Sequence, residues 1–219
     1  MLISLHTHSI FSDGELLPSE LARRCERAGY RYLAITDHAD SSNLEDIIRN
    51  VARAVEDFNK TSKLKVLPGV EITHVDPTLI SGLARKAKLL GAKVVVVHGE
   101  TITEPVKKGT NLAAIQAKVD ILAHPGFITK KEMLLAKKNN VLIELTTRKG
   151  HSLTNGYVAK LALECGTPMV LNTDAHIPSD IVGREFGLGV AMGAGLSRKQ
   201  AENLLVNSEK FAKRRAGLA

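Results

Sequence analysis

The chain has 219 residues, of which 44% are hydrophobic and 24% charged, so it is long enough to bury one large core. No apolar run approaches the roughly 20 residues that a membrane helix needs, and the apolar residues 1–5 are too few for a signal peptide, so we expect neither. Thirty Lys and Arg against 23 Asp and Glu give a formal charge of +7, which suits a phosphorylated partner.

Seven short runs rich in Val, Ile and Leu alternate with amphipathic segments at helical spacing. The runs are typical of strands buried on both faces of a parallel sheet, and they cover residues 2–5, 32–35, 65–67, 93–97, 121–123, 141–145 and 169–171. The predicted helices cover residues 18–28, 44–58, 77–90, 130–138, 156–164 and 197–212. The alternation implies right-handed crossovers and a parallel α/β sheet, either open or closed into a barrel.

Side chains that bind metals follow nearly every predicted strand. His6 and His8 lie two residues apart on an extended segment and therefore point the same way, and Asp174 and His176 repeat this spacing after the last strand. The others are Asp13, His38, Glu71, His98 and His124. In an open sheet the first and last strands lie far apart, whereas all strand ends of a barrel face one axis. The ligands therefore favour a barrel of seven strand and helix units.

The number of these side chains predicts more than one metal ion. Six histidines and three carboxylates exceed the needs of a single ion, since zinc takes about four ligands and other divalent ions about six. We expect two or three divalent ions, and the mixed imidazole and carboxylate ligands suit Zn, Mn or Fe. A lone His98 or His124 would more often be a core histidine, so the prediction depends on the joint placement of all nine side chains.

Taken together, these motifs resemble the PHP family, named for the domain shared by bacterial DNA polymerases and histidinol phosphatases. The matching segments are His6-Thr7-His8, Ser12-Asp13-Gly14, Thr36-Asp37-His38, Gly69-Val70-Glu71, His98, His124-Pro125 and Asp174-Ala175-His176. The resemblance extends over almost the whole chain, and the ordered set is more specific than any single motif. It implies a distorted seven-stranded (β/α)7 TIM-like barrel with a trinuclear site, formed by one domain over residues 1–219 with a basic C-terminal helix or tail from about residue 197.

The resemblance also implies a distribution of ligands. One metal would be held by His6, His8, Glu71 and Asp174, a second by Glu71, His98 and His124, and a third by Asp13, His38 and His176. Residues 144–155 resemble stand-alone members described as histidinol-phosphatase-like. Members of the family hydrolyse histidinol phosphate, nucleotides, oligonucleotides and other phosphates, so the fold leaves the substrate open.

A metal-dependent phosphomonoesterase is the leading functional hypothesis, in which a hydroxide bridging two metals attacks phosphorus directly. The chain has no Gly-x-Ser-x-Gly elbow or Gly-rich phosphate loop that would indicate another mechanism. Arg148, Lys149 and, more weakly, Arg184 are candidates for phosphate contacts, although Lys149 is equally typical of a solvated loop. His151 and His74 are candidates for substrate contact or for protonating the leaving group, against the alternative of plain surface histidines.

Two alternatives have different partners. The basic charge suits a nuclease or nucleotide phosphodiesterase, and a non-catalytic barrel that binds nucleic acid, like the ribonuclease P protein that resembles this fold, is a third hypothesis. Part of the charge lies in residues 210–215, aromatic residues make up only 4% of the chain, and nine intact ligands argue against a non-catalytic barrel. We therefore expect a small phosphorylated substrate. Cys25 and Cys165 show no spacing of a metal knuckle or disulfide framework, so we expect a cytoplasmic protein with reduced thiols.

Overall fold

Parallel strands alternate with helices in the computed structural model, which describes residues 2–218. Residues 1 and 219, the ends of the predicted domain, lie outside the described residues. The strands are β1 (Leu2–Ser4), β2 (Tyr30–Ile35), β3 (His38–Ala39), β4 (Lys65–Ile72), β5 (Val94–His98), β6 (Ile121–Ala123), β7 (Leu142–Thr146) and β8 (Met169–Asn172). The α-helices are α1 (Pro18–Arg27), α2 (Leu44–Thr61), α3 (Pro77–Leu89), α4 (Thr110–Gln116), α5 (Lys130–Asn139), α6 (Asn155–Cys165), α7 (Arg184–Gly193) and α8 (Arg198–Arg215). Short 3₁₀ turns cover His151–Thr154 and Pro178–Asp180.

Seven of the strands form a nearly closed parallel barrel in the order β1-β2-β4-β5-β6-β7-β8, while β3 pairs with the end of β4. The residues that follow β1 and β8 narrow the remaining gap. The His8 N–H donates to the Ala175 carbonyl at 2.9 Å, and the Asp174 N–H donates to the His6 carbonyl at 3.0 Å. The predicted α/β barrel of seven strands is therefore confirmed, and the segments that hold it shut carry predicted metal ligands.

Alternate residues of the strands belong to two separate buried clusters, as the period of two in a strand requires. In β5, Val95 belongs to the larger cluster between strands and helices, and Val96 to the smaller cluster inside the barrel. Phe211 of α8 belongs to the smaller cluster, so the last helix fills the end of the barrel where the strands begin. No helix within residues 2–218 combines the length and the apolar character needed to cross a membrane.

The structure differs from the predicted elements in β3, β4, α4 and α7. The third strand was predicted over residues 65–67, but β4 continues through Pro68 and Gly69 to Ile72. The Pro68 carbonyl accepts from the Lys93 N–H at 2.7 Å, and a Cβ at Gly69 would lie only 2.7 Å from Thr36 Cγ2, so this close approach requires glycine. Helix α7 was hidden by its three glycines, which have low helix propensity.

Candidate metal centre

The predicted ligands meet at the end of the barrel where the strands terminate, as in other barrels of this architecture. A cavity of about 340 Å³ opens there. Its lining residues are Asp13, His38, Ala39, Asp40, Asn43, Thr73, His74, His98, Glu104, Arg148, His151, Asp174 and His176. The structure thus brings the side chains that follow seven different strands into one mouth.

The middle of this mouth is formed by four of the predicted ligands. His6 Nε2 lies 3.2 Å from Glu71 Oε1 and 3.6 Å from Asp174 Oδ1. His8 Nε2 lies 3.2 Å from Asp174 Oδ1 and 3.6 Å from Glu71 Oε2. All four side chains are buried, and His124 adjoins them with its Nε2 3.7 Å from Asp174 Oδ2. A carboxylate on each side of two imidazoles is a donor set suited to a divalent ion.

One flank of the centre is formed by His38, His176 and Asp13. Asp13 Oδ1 lies 3.4 Å from His38 Nε2 and 3.2 Å from His176 Nε2. Asp13 comes from the loop after β1, and this loop is fixed by Asp37, which accepts from the Ser9 N–H at 2.7 Å and the Ser12 hydroxyl at 2.8 Å. The carboxylate of Asp37 therefore positions the loop that carries Asp13.

The opposite flank contains three histidines around Glu104, a residue that did not figure among the predicted ligands. Glu104 Oε2 lies 3.1 Å from His98 Nε2 and 3.0 Å from His74 Nε2, and Oε1 lies 3.3 Å from His151 Nε2. The rings of His151 and His124 stack with centroids 4.2 Å apart. No sequence pattern marked Glu104, because it lies six residues after β5 in a long loop.

Buried polar atoms without partners show that the site suits cations. Among residues 2–218, the buried side-chain atoms that lack a hydrogen bond are His6 Nε2, His8 Nε2, Glu71 Oε1, His124 Nδ1 and Glu144 Oε1. Leaving one buried polar group unpaired costs roughly 1–3 kcal/mol, so a cluster of them in one place needs an explanation. A divalent ion would satisfy both imidazole lone pairs and carboxylate oxygens, and the donor set fits such an ion.

The histidine tautomers support the same reading. His176 Nδ1 donates to the Asp174 carbonyl at 2.9 Å, and His98 Nδ1 donates to the Gly99 carbonyl at 3.2 Å. Because a carbonyl only accepts, each ring when neutral turns the lone pair of Nε2 toward a carboxylate, Asp13 or Glu104. Lone pairs that face carboxylates call for a cation or a proton between them.

Burial and neighbouring charges also prepare the ligands electrostatically. Burial, reinforced by the positive character of His38 and His176, holds the pKa of His8 well below its ordinary value. Burial and the neighbouring His98 do the same for the pKa of His124. These rings are neutral at physiological pH, the state that binds metals.

Glu71 behaves in the opposite way. Burial opposes its ionisation, but the His6 and His38 imidazoles more than offset that effect, so the pKa of Glu71 lies well below its ordinary value. Its carboxylate is therefore negative where four imidazoles converge, those of His6, His8, His38 and His124, and it connects the middle of the centre to the Asp13 flank.

Glu144, which is fully buried, is a second residue that sequence reasoning missed, although residue spacing could have found it. It lies in β7 on the same face as Leu142, whose side chain belongs to the cluster inside the barrel. His6 Nδ1 donates to Glu144 Oε2 at 2.9 Å, and Asn172 Nδ2 donates to the same oxygen at 2.8 Å. A carboxylate behind a metal-binding imidazole fixes its tautomer and its orientation.

Backbone strain is concentrated at this site. Non-glycine residues with positive φ among the described residues are His74, Lys118, His124, Asn140 and Asp174. Three of the five are in the centre, with φ values of 52° for His74, 25° for His124 and 50° for Asp174. Such conformations cost of order 1–3 kcal/mol each and persist where the surroundings enforce them, commonly at functional sites.

The three basic candidates are placed differently. Arg148 lines the cavity, and its Nη1 donates to Asp180 Oδ2 at 2.9 Å. Lys149 is exposed and is not among the residues that line the cavity. Arg184 is the first residue of α7, where it pairs with Glu185 and Glu202, so the structure does not bring it to the cavity. His74 and His151 do lie in its wall.

Comparisons with known proteins agree with the fold. A family model described as the PHP domain matches residues 4–160. An uncharacterized protein of Methanocaldococcus jannaschii is 49% identical over 212 residues, which cover 96% of this chain and 97% of that protein. A probable phosphatase of Thermoanaerobacter pseudethanolicus is 25% identical over 95% of this chain and 91% of its own length. A chain in the cryo-EM structure of archaeal ribonuclease P with mature tRNA shares the fold, with a TM-score of 0.70 at 20% identity and coverage of 99% and 92%.

Proposed function

The chain belongs to the PHP family, and from this premise we propose that it is a hydrolase that uses two or three divalent metal ions, Zn, Mn or Fe, to cleave a small phosphate monoester. The observation that carries the proposal is the convergence of buried imidazoles and carboxylates with unpaired atoms at one open mouth of the barrel. A probable phosphatase among the relatives supports hydrolysis of phosphoester bonds.

The ligand groups divide among three places. We assign the middle of the centre to His6, His8, Glu71 and Asp174, and one flank to Asp13, His38 and His176, while His98 and His124 face the other flank. When bound, divalent ions lower the pKa of water and neutralise charge on a phosphoryl group. The protein contributes neutral imidazoles at His8 and His124, a negative Glu71 and rigid strand ends that hold these groups in place before substrate arrives.

Arg148 is the side chain best placed to bind the phosphate. Its link to Asp180 orients the guanidinium in the cavity wall, and Asp180 also accepts from the His176 N–H at 3.0 Å. One side of the guanidinium fork is thus fixed, and its other N–H groups are available to non-bridging oxygens of a phosphoryl group. Lys149, which is exposed, would contribute only to the approach of an anionic substrate.

His151 is the candidate proton donor for the leaving group. It is 8% exposed, and its Nδ1 lies 2.8 Å from the Thr101 hydroxyl and 3.0 Å from the Thr103 hydroxyl. These hydroxyls can donate or accept, so the ring can carry its proton on Nε2, which faces Glu104 Oε1 in the cavity wall at 3.3 Å. His74, at the exposed edge of the cavity, is better placed beside Glu104 than beside a leaving group.

The size of the cavity favours a small substrate. About 340 Å³ is at the lower end of the range for small-molecule sites. Nucleic acid is the second candidate substrate, because a formal charge of +7 favours a polyanion. A phosphodiesterase would use the same ligands, so substrate preference is the property to measure.

The test compares kcat/KM for L-histidinol phosphate, an aryl phosphate monoester and a short oligonucleotide, with protein reconstituted with Mn or Zn. We expect both monoesters to be hydrolysed faster than the oligonucleotide, and a strong preference for histidinol phosphate would identify a histidinol phosphatase. An Asp174→Asn variant, purified in parallel, controls for contaminating phosphatases. Turnover of the oligonucleotide alone would replace the monoesterase proposal with the nuclease, and no turnover by metal-loaded protein would reject both.

A further inference from the structure

Glu104 lies between three histidines on the flank of the centre opposite Asp13. Its carboxylate faces Nε2 of His74, His98 and His151 at 3.0, 3.1 and 3.3 Å. In contrast, His98 forms no ion pair with Glu71 within residues 2–218, although the family resemblance assigns both to one metal. The carboxylate that His98 faces at close range is that of Glu104.

The chemistry of His98 calls for a positive charge between these two groups. Its Nδ1 donates to the Gly99 carbonyl, so its Nε2, when the ring is neutral, presents a lone pair to Glu104 Oε2. Two acceptors at 3.1 Å repel each other unless a cation or a proton is shared. Four-coordinate ligands with bonds of 2.0–2.1 Å stand about 3.3 Å apart, close to the spacing of these atoms.

We infer that Glu104 and His74 bind one divalent cation together with His98, at the rim of the centre. This rests on the proposed function, because it places a ligand set within the same multi-metal site. It adds a carboxylate and an imidazole that the sequence motifs did not include. The ligand atoms of His74, His98 and Glu104 all lie within 4.8 Å of one another, as a shared ion requires.

The backbone of His74 is an independent observation in favour of this assignment. His74 has φ of 52°, which is costly for a non-glycine residue, and its side chain is 40% exposed, so burial of the ring offsets little of that cost. The strained turn directs its Nε2 to Glu104. A metal-binding role for the His74 ring would explain why its backbone keeps this strained conformation.

The loop that carries Glu104 is also fixed. Glu100 Oε1 accepts from the Gly109 N–H at 2.9 Å and the Asn111 N–H at 3.0 Å, which ties both ends of the loop together. Gly126 lets the loop after β6 pack closely against Glu100 at the start of the Glu104 loop, because a Cβ on Gly126 would lie 1.9 Å from the Glu100 carbonyl oxygen. Glu104 is therefore presented on a braced loop, as a ligand needs to be.

The experiment measures bound metal rather than activity alone. Wild-type protein and the Glu104→Gln and His74→Gln variants are dialysed to equilibrium against Co²⁺ over a range of concentrations, and bound metal is counted per chain by mass spectrometry. We expect Glu104→Gln to lose about one ion per chain, or to bind that ion at least about tenfold more weakly, with a smaller loss for His74→Gln. Both residues are partly exposed, so neither variant should unfold.

Glu164→Gln is the matched control, because Glu164 is an exposed carboxylate on α6 that forms no ion pair within the described chain. Its metal content should equal that of the wild type. Unchanged metal content and affinity in Glu104→Gln would overturn the inference, and an accompanying rise in KM would make Glu104 a substrate contact instead. If the wild type itself bound no Co²⁺, the proposed metal-dependent function would be rejected together with the inference. Wild-type binding with no change in Glu104→Gln would reject the inference alone.

Discussion

The two ends of the barrel are built from the same strands but differ in how their buried groups are paired and packed. Where the strands end, fully buried His6, His8 and Glu71 leave polar atoms unpaired. Where the strands begin, Phe211 of α8 fills the interior, and Arg215 pairs with Asp120 while lying over the Phe211 ring. One end therefore carries unsatisfied polar groups, and the other is packed and paired.

This difference assigns the chemistry to the end where the strands terminate and much of the stability to the end where they begin. Strained backbone and unpaired buried polar groups cost free energy, and a fold retains them where function needs them. The apolar cluster inside the barrel and the closing helix supply the stability that offsets these costs. Substitutions at the two ends should accordingly change different measurements.

The largest effect is expected from a pair of buried aspartates at opposite ends. Asp174→Asn removes a carboxylate shared by His6 and His8, and should lower kcat/KM at least about 1,000-fold, because several kcal/mol of transition-state stabilisation depend on the metal centre. Burial raises the pKa of Asp174, so a neutral side chain should not lower the free energy of unfolding of the metal-free protein. Steady-state kinetics and urea unfolding measure the two quantities.

Asp120→Asn is the matched change at the other end. Asp120 Oδ2 accepts from the Val95 N–H at 2.9 Å and its other oxygen pairs with Arg215, so loss of the charge should cost about 1–3 kcal/mol of unfolding free energy. The kcat/KM of the folded protein should stay within twofold of the wild type. Equal losses of activity in the two variants would show that the ends are coupled.

Phe211→Ala tests the packed end more severely. Phe211 is 5% exposed, and truncating a buried phenylalanine typically costs 3–5 kcal/mol. We expect a correspondingly lower urea midpoint with unchanged metal content per folded chain. Leu153→Ala, at a side chain that is 70% exposed, is the control and should leave the free energy of unfolding within about 0.5 kcal/mol of the wild type.

Glu144→Gln distinguishes a positioning role from direct ligation. Gln can still accept a hydrogen bond from His6 Nδ1, but it lacks the charge that makes the ring a stronger donor to metal. Metal affinity should fall about 10- to 100-fold, and excess metal should restore most of the activity. Loss of activity that excess metal does not restore would contradict a role through His6.

The sequence predicted the barrel and nine side chains of its mouth because both follow from periodicity and position at strand ends. His6, His8, Asp174 and His176 come from the same two short segments that close the barrel. Local spacing specifies such pairs, since residues two apart in an extended chain share a face.

Glu104 and Glu144 were missed for two different physical reasons. Glu104 comes from a loop whose path depends on distant contacts, such as that of Gly126 with Glu100, and local sequence does not contain them. Glu144 lies within an apolar strand, where its inward direction follows only from the face on which Leu142 packs. Arg184 shows the opposite error, because a basic residue close in sequence to a ligand pair is held by carboxylates of α7 and α8.

The smallest expected effects are on KM, and they distinguish Arg148 from Arg184 as the residue that contacts phosphate. Arg148→Ala removes the guanidinium from the cavity wall and should raise KM about tenfold with bound metal unchanged, since hydrogen bonds to charged groups contribute roughly 1.5–3 kcal/mol. Arg184→Ala breaks ion pairs that are partly exposed and should leave both KM and kcat within twofold of the wild type. A rise in KM for Arg184→Ala, with none for Arg148→Ala, would move the phosphate site from the wall of the metal cavity to the start of α7. Isothermal titration with inorganic phosphate, on metal-loaded protein, would then locate the anion independently of turnover.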